Sequence, residues 1–89
     1  MICKYQELTR LEMEQVDREN TIVLIPLGAL EQHGNQAPLG TDTLIANAMC
    51  DYIEKELMDE DINLLLFPVI PVGLSTEHKE FCGSITFKP

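Results

Sequence analysis

Apolar residues concentrate in two dense runs, Thr21-Ile-Val-Leu-Ile-Pro-Leu27 and Ile62-Asn-Leu-Leu-Leu-Phe-Pro-Val-Ile-Pro-Val72. Neither alternates, which predicts strands buried on both faces rather than one. Pro26 lacks an N–H and belongs near a strand end or on an edge. Pro68 and Pro71 split the second run, so its first half reads as a strand and its second half as an extended exit. Between the runs, Leu44, Ile45, Ala48, Met49, Tyr52, Ile53 and Leu57 recur at helical spacing and predict the main helix, from Thr41 to about Met58. Thr41 or Asp42 is placed to cap its first turn, where negative charge is favoured. A shorter helix opens at Leu8–Met13, with Thr9 and Glu12 at capping-box spacing and Leu8 and Met13 as its hydrophobic staple. Leu11 and Val16 extend its apolar stripe, Asn20 is a stop, and about three turns is its limit.

Strand, helix, strand is one βαβ unit, whose crossover is right-handed in nearly all proteins. Two strands and two helices are fewer than a parallel sheet needs to cover its faces and edges. The pattern therefore predicts an incomplete α/β domain. The loops that leave the two strands, beginning at Gly28 and Gly73, emerge on the same side, at the carboxyl ends where open α/β sheets bind ligands.

Composition narrows the classes. Eighty-nine residues make one small domain. A net charge of −9 and a pI near 4.4 speak against nucleic acid or an anionic membrane as partner. Cys3, Cys50 and Cys82 are odd in number and lack CxxC spacing, which fits three reduced thiols in a cytoplasmic protein better than a disulfide framework or a structural zinc site. Charged residues within the first dozen positions leave no apolar signal-peptide core, and no apolar run reaches the ~20 residues of a membrane span.

Candidate chemistry lies in the two loops. Glu31 and His33 are two apart, so in extended backbone they face one way with Gln32 opposite. Asp42 returns after the Gly34-to-Gly40 excursion. Mixed carboxylate and imidazole donors suit Zn²⁺, Mn²⁺ or Fe²⁺ better than Ca²⁺ or Mg²⁺. The same residues also read as solvated loop polarity, with Asp42 a helix cap and the glycines and Pro38 turn residues. In the second loop Ser75 could bind substrate, with Glu77 and His78 supporting a metal shell. Helix capping and a surface Glu–His pair are the plainer readings there. No nucleophile elbow is present for a Ser-His-Asp triad. Thiol chemistry at Cys82 stays open.

Three motifs then carry a resemblance: Ile25-Pro-Leu-Gly-Ala-Leu-Glu-Gln-His-Gly34, Leu39-Gly-Thr-Asp-Thr43, and Gly73-Leu-Ser-Thr-Glu-His78 with Phe81-Cys-Gly-Ser-Ile-Thr86. In this order and spacing they resemble the N-terminal part of the creatininase family, from about Leu8 to Thr86. The resemblance implies a three-layer α/β/α fold with a mostly parallel sheet, represented here by an incomplete N-terminal βαβ portion, with residues 1–89 part of a single domain. It also implies a homo-oligomer, often a hexamer, and a divalent metal pair, Zn or Mn. By that resemblance Glu31 and His33 each bind one metal, Asp42 bridges both, and Ser75 lies near a small amide substrate. Glu77 and His78 keep a supporting role. The implied reaction is hydrolysis of a linear or cyclic amide C–N bond by a water acidified between the metals. The family's remaining His and Glu ligands would fall beyond residue 89, and three ligands shared by two ions under-coordinate each. The 89-residue chain alone is thus expected to be inactive. The rival expectation is a truncated, non-catalytic α/β module that assembles with partner chains. Asn35-Gln36 and Cys82 depart from the family pattern, the former beside the metal positions.

Overall fold

The computed structural model describes residues 1–88. Three short parallel strands form its sheet: β1 (Ile2–Lys4), β2 (Thr21–Leu24) and β3 (Asn63–Leu66), in the order β1-β3-β2. Ile2–Lys4 register against Leu64–Leu66 on one side of β3, and Thr21–Leu24 against Asn63–Leu66 on the other. The central position explains the burial. Leu64 and Leu65 point to opposite faces of the pleat and both are fully buried. They are the buried hydrophobic core among the described residues.

One helix serves each face. The short α1 (Arg10–Glu14) starts at the expected capping box: the Glu12 N–H donates to Thr9 Oγ1 at 3.1 Å, and the Thr9 N–H to Glu12 Oε1 at 3.0 Å. Met13 and Val16 then sit over Val23 and Leu65. The long α2 (Thr41–Leu57) lies on the other face, where Asn47, Cys50, Asp51 and Glu54 enclose a cleft with Leu24, Leu66 and Phe67. Helices on both faces of a parallel sheet make this an α/β fold. β2, α2 and β3 form the expected βαβ unit.

Several expectations need correction. The sequence reading had two strands; β1 is a third. At three residues, beginning one residue from the N-terminus, it is too short to carry a periodic signal, and pairing with β3 alone defines it. The first helix, at five residues, stays well inside its expected limit, because the chain turns after Gln15 and re-forms only a 3₁₀ turn at Arg18–Asn20. Neither Thr41 nor Asp42 caps α2. Its N-cap is Gly40, without a side-chain cap bond, and Thr41 Oγ1 instead donates to the Pro38 carbonyl at 2.5 Å.

β2 was expected to be buried on both faces. It is an edge strand, and Ile22 and Val23 remain 47% and 42% exposed. The apolar stripe of α2 is likewise uncovered at Leu44, Ile45, Met49 and Tyr52. The radius of gyration, 16.1 Å, exceeds the roughly 12 Å of a compact domain of this length, in keeping with these open faces.

Beyond the sheet, the two proline-interrupted exits stay together. Phe67 N–H donates to the Leu24 carbonyl, Ile70 N–H to Pro26, and Gly28 N–H to Ile70, at 2.9, 3.0 and 2.8 Å. Leu27 and Ile70 form a parallel bridge. Pro26 thus contributes a carbonyl where it has no N–H to give. This double exit carries both loops to the same edge.

Candidate functional site

The first loop leaves Gly28 and returns to α2. A Cβ on Gly28 would overlap Thr43 Oγ1 and reach Thr43 Cα at 2.9 Å, so glycine lets the start of α2 press against the strand exit. That contact brings Asp42, in the first turn of α2, back toward residues 31–33. His33 Nε2 lies 3.5 Å from Asp42 Oδ1. Donor atoms of Glu31, His33 and Asp42 all lie within 4.8 Å of one another, each from a partly exposed side chain. The three expected residues are therefore together. Asp42 also sits at the positive end of the α2 dipole.

The second loop closes from the other side. Ser75, fully buried, precedes a 3₁₀ turn at Thr76–His78. Donor atoms of Glu31, Glu77 and His78 form a second group within 4.8 Å, so Glu31 belongs to both. The Ser75 hydroxyl beside it is the largest influence holding the Glu31 carboxyl below its ordinary value, although that hydroxyl completes no hydrogen bond of regular geometry. Desolvation opposes the shift; His78, Asp42 and His33 add to it.

Polar atoms left over at this edge test whether it suits a cation. His33 Nδ1, Thr43 Oγ1 and Ser75 Oγ are buried without a hydrogen-bond partner. Buried polar atoms are normally satisfied, and unpaired ones point to an occupant or a function. Two carboxylates and an imidazole, with ring and hydroxyl atoms unspent around them, fit a divalent transition-metal ion.

The residues that fasten the loops were not singled out from the sequence. Gln32 N–H donates to Ser84 Oγ at 2.9 Å, Ile85 N–H to the Leu30 carbonyl at 2.7 Å, and Ser75 N–H to Thr86 Oγ1 at 2.7 Å. The C-G-S-I-T block is thereby an antiparallel partner of the first loop, bridged at Leu30 and Ile85. Its Ser and Thr at alternate positions were the available signal. Cys82 is exposed and belongs to neither group of converging donor atoms. Among the described residues no helix is long and apolar enough to cross a membrane.

A parallel sheet with helices on both faces, and acidic and imidazole side chains gathered beyond its strands' carboxyl ends, defines an α/β protein of the open-sheet class. The creatininase family profile, described as creatinine amidohydrolase, matches residues 6–89, and the chain belongs to that family. A mycofactocin precursor peptide peptidase of Mycobacterium tuberculosis is 38% identical over 85 residues, 90% of this chain and 34% of the relative. A creatinine amidohydrolase of Pseudomonas putida is 32% identical over 79 residues, 88% of this chain and 28% of the relative. A manganese creatininase superposes with a TM-score of 0.73 and a Zn-Zn type mutant creatininase with 0.71; each is 25% identical, covering 96% of this chain and 34% and 33% of theirs. The chain spans about a third of the length of the curated relatives it matches.

Proposed function

We propose that residues 1–89 are the N-terminal part of a single creatininase-like domain that hydrolyses an amide C–N bond at a divalent metal centre. Glu31, His33 and Asp42 would hold the metal, Zn or Mn, with two ions expected in the complete site and Asp42 serving both. The convergence of those three donors, two from the first loop and one from the first turn of α2, is the observation that carries the reading. A divalent ion bound by these residues would supply an acidified water and Lewis-acid polarisation of the amide carbonyl. Ser75, buried beside Glu31, would hydrogen-bond the amide in this reading. Glu77 and His78 stand around the same carboxylate as supporting groups. Identity is higher to a protein named as a peptidase than to one named for creatinine, which favours a peptide-like linear amide over a cyclic one. A homo-oligomer in the cytoplasm belongs to the same reading.

Metal content and calorimetric titration with Zn²⁺ and Mn²⁺ test the proposal. Stoichiometric binding is expected, weakened at least tenfold by His33→Ala or Asp42→Asn. An unchanged affinity in both variants overturns the assignment. The open stripe of Leu44, Ile45, Met49 and Tyr52 favours a second reading, a non-catalytic α/β module assembled with partner chains. That reading predicts association without metal binding or hydrolysis.

A further inference from the structure

Gln32 lies between two proposed metal ligands, Glu31 and His33, yet both ends of its side-chain amide are hydrogen-bonded elsewhere. Its Oε1 accepts the Gly34 N–H at 2.9 Å. A backbone N–H can only donate, so the atom facing it must be the amide oxygen. The atom facing His78 Nδ1, also at 2.9 Å, is therefore the Gln32 NH₂ group. An amide nitrogen has no acceptor lone pair, so His78 Nδ1 must accept. In neutral imidazole the hydrogen then resides on Nε2, which lies 3.8 Å from Glu77 Oε1.

We propose that Gln32 is a positioning residue: it locks His78 as the Nε2–H tautomer, with that N–H on the side of Glu77, and so keeps the ring from serving as a metal ligand. Two groups of donors converge at this edge, and they share Glu31. In the group of Glu31, Glu77 and His78, the Nδ1 lone pair is taken by Gln32 and Nε2 carries the hydrogen. Neither nitrogen is free to bind a cation. Glu31 is thereby left to the ion held with His33 and Asp42, while the His78 Nε2–H faces the Glu77 carboxylate across 3.8 Å. Groups that set the surroundings of a ligand in this way typically change metal affinity about 10–100-fold when lost. Gly34, at φ +78°, supports the same device, because its backbone turns the N–H onto Gln32 Oε1.

The role given to Glu31 rests on the proposed metal centre, whereas the tautomer does not, and the test separates them. Two-bond ¹H–¹⁵N correlation spectra of the histidine-labelled full chain are recorded without metal at about pH 8, where an unperturbed imidazole is neutral. His78 should show a pyridine-type Nδ1 and a protonated Nε2. In Gln32→Glu the carboxylate still accepts the Gly34 N–H but presents an acceptor to the ring, so Nδ1 should gain a hydrogen. In Gln32→Leu the two tautomers should mix, and zinc affinity should fall about 10-fold or more. A protonated Nδ1 in the unsubstituted chain, or a mixture of tautomers there, overturns the inference even if neither variant folds. So does a His78 spectrum that is identical in Gln32→Glu. A chain that binds no zinc yet shows the Nε2–H tautomer sinks the metal reading and leaves the Gln32–His78 lock standing.

Discussion

Replacing Gly28 with alanine tests the contact that brings α2 to the site. The new methyl would overlap Thr43 Oγ1 and stand 2.9 Å from Thr43 Cα, whereas ordinary contact begins at 3.4 Å. The backbone must therefore open by about half an ångström, since Cα cannot rotate away as a side chain does. Gly28 has little room to retreat. Its N–H is bonded to Ile70 at 2.8 Å, and its carbonyl is 3.2 Å from where a Cβ on Gly73 would stand. Overpacking of this kind costs about 1–3 kcal/mol. Native-state hydrogen exchange reads that cost locally, at the Gly28 amide and at the Leu44 amide bonded to Gly40. Their protection should fall about 10- to 100-fold, at 1.4 kcal/mol per decade. Thr43→Ala in the same chain removes the hydroxyl overlap but leaves Cα and Cβ at 2.9 and 3.0 Å, so it should restore only part of the protection. Protection within twofold of the unsubstituted chain at both amides would refute the claim that this close approach positions Asp42.

Acid titration gives two further expectations. Glu12 is held below its ordinary value of 4.5 first by the Thr9 backbone N–H and then by the Thr9 hydroxyl. A carboxyl depressed by folding stabilises above its unfolded pKa, and that contribution is lost as pH falls through the folded one. The α1 amides should therefore lose exchange protection below about pH 4.5, and Thr9→Ala, which removes the hydroxyl but keeps the larger contribution of the backbone N–H, should reduce that step without removing it. In metal-free protein the Glu31 carboxyl should titrate below its ordinary 4.5, with the Ser75 hydroxyl the main cause. Ser75→Ala should move its ¹³C midpoint upward; an unmoved midpoint would assign the shift to His78, Asp42 and His33 instead.

What could be read along the chain was whatever depends on short-range order. The α2 pattern repeats over several turns, and its bounds, Thr41–Leu57, match the expectation closely. The Thr9–Glu12 box needs only helical spacing, and it formed. The proline-split runs became β2 and β3, each shorter than its apolar run because Pro26 and Pro68 bring no N–H and interrupt the ladder, which resumes only at Gly28 and Ile70. Glu31, His33 and Asp42 were legible as donor types on a loop at a strand's carboxyl end, and Ser75 and His78 as their counterparts across the edge.

Tertiary structure decided the rest, because it concerns atoms brought together from distant positions. Ile2–Lys4 is a strand only because β3 offers it an edge. Ile22 and Val23, apolar enough for a core, lie on an outer strand and stay exposed. Gln32 was placed simply opposite its neighbours; which of its atoms meets His78, 46 residues away, follows from a bond to Gly34 that no spacing rule contains. Sequence specified the chemical groups and the local elements that carry them. Their meeting at one sheet edge required the Gly28–Thr43 contact and the Leu30–Ile85 pairing, because distances between loops are set by packing rather than by position along the chain.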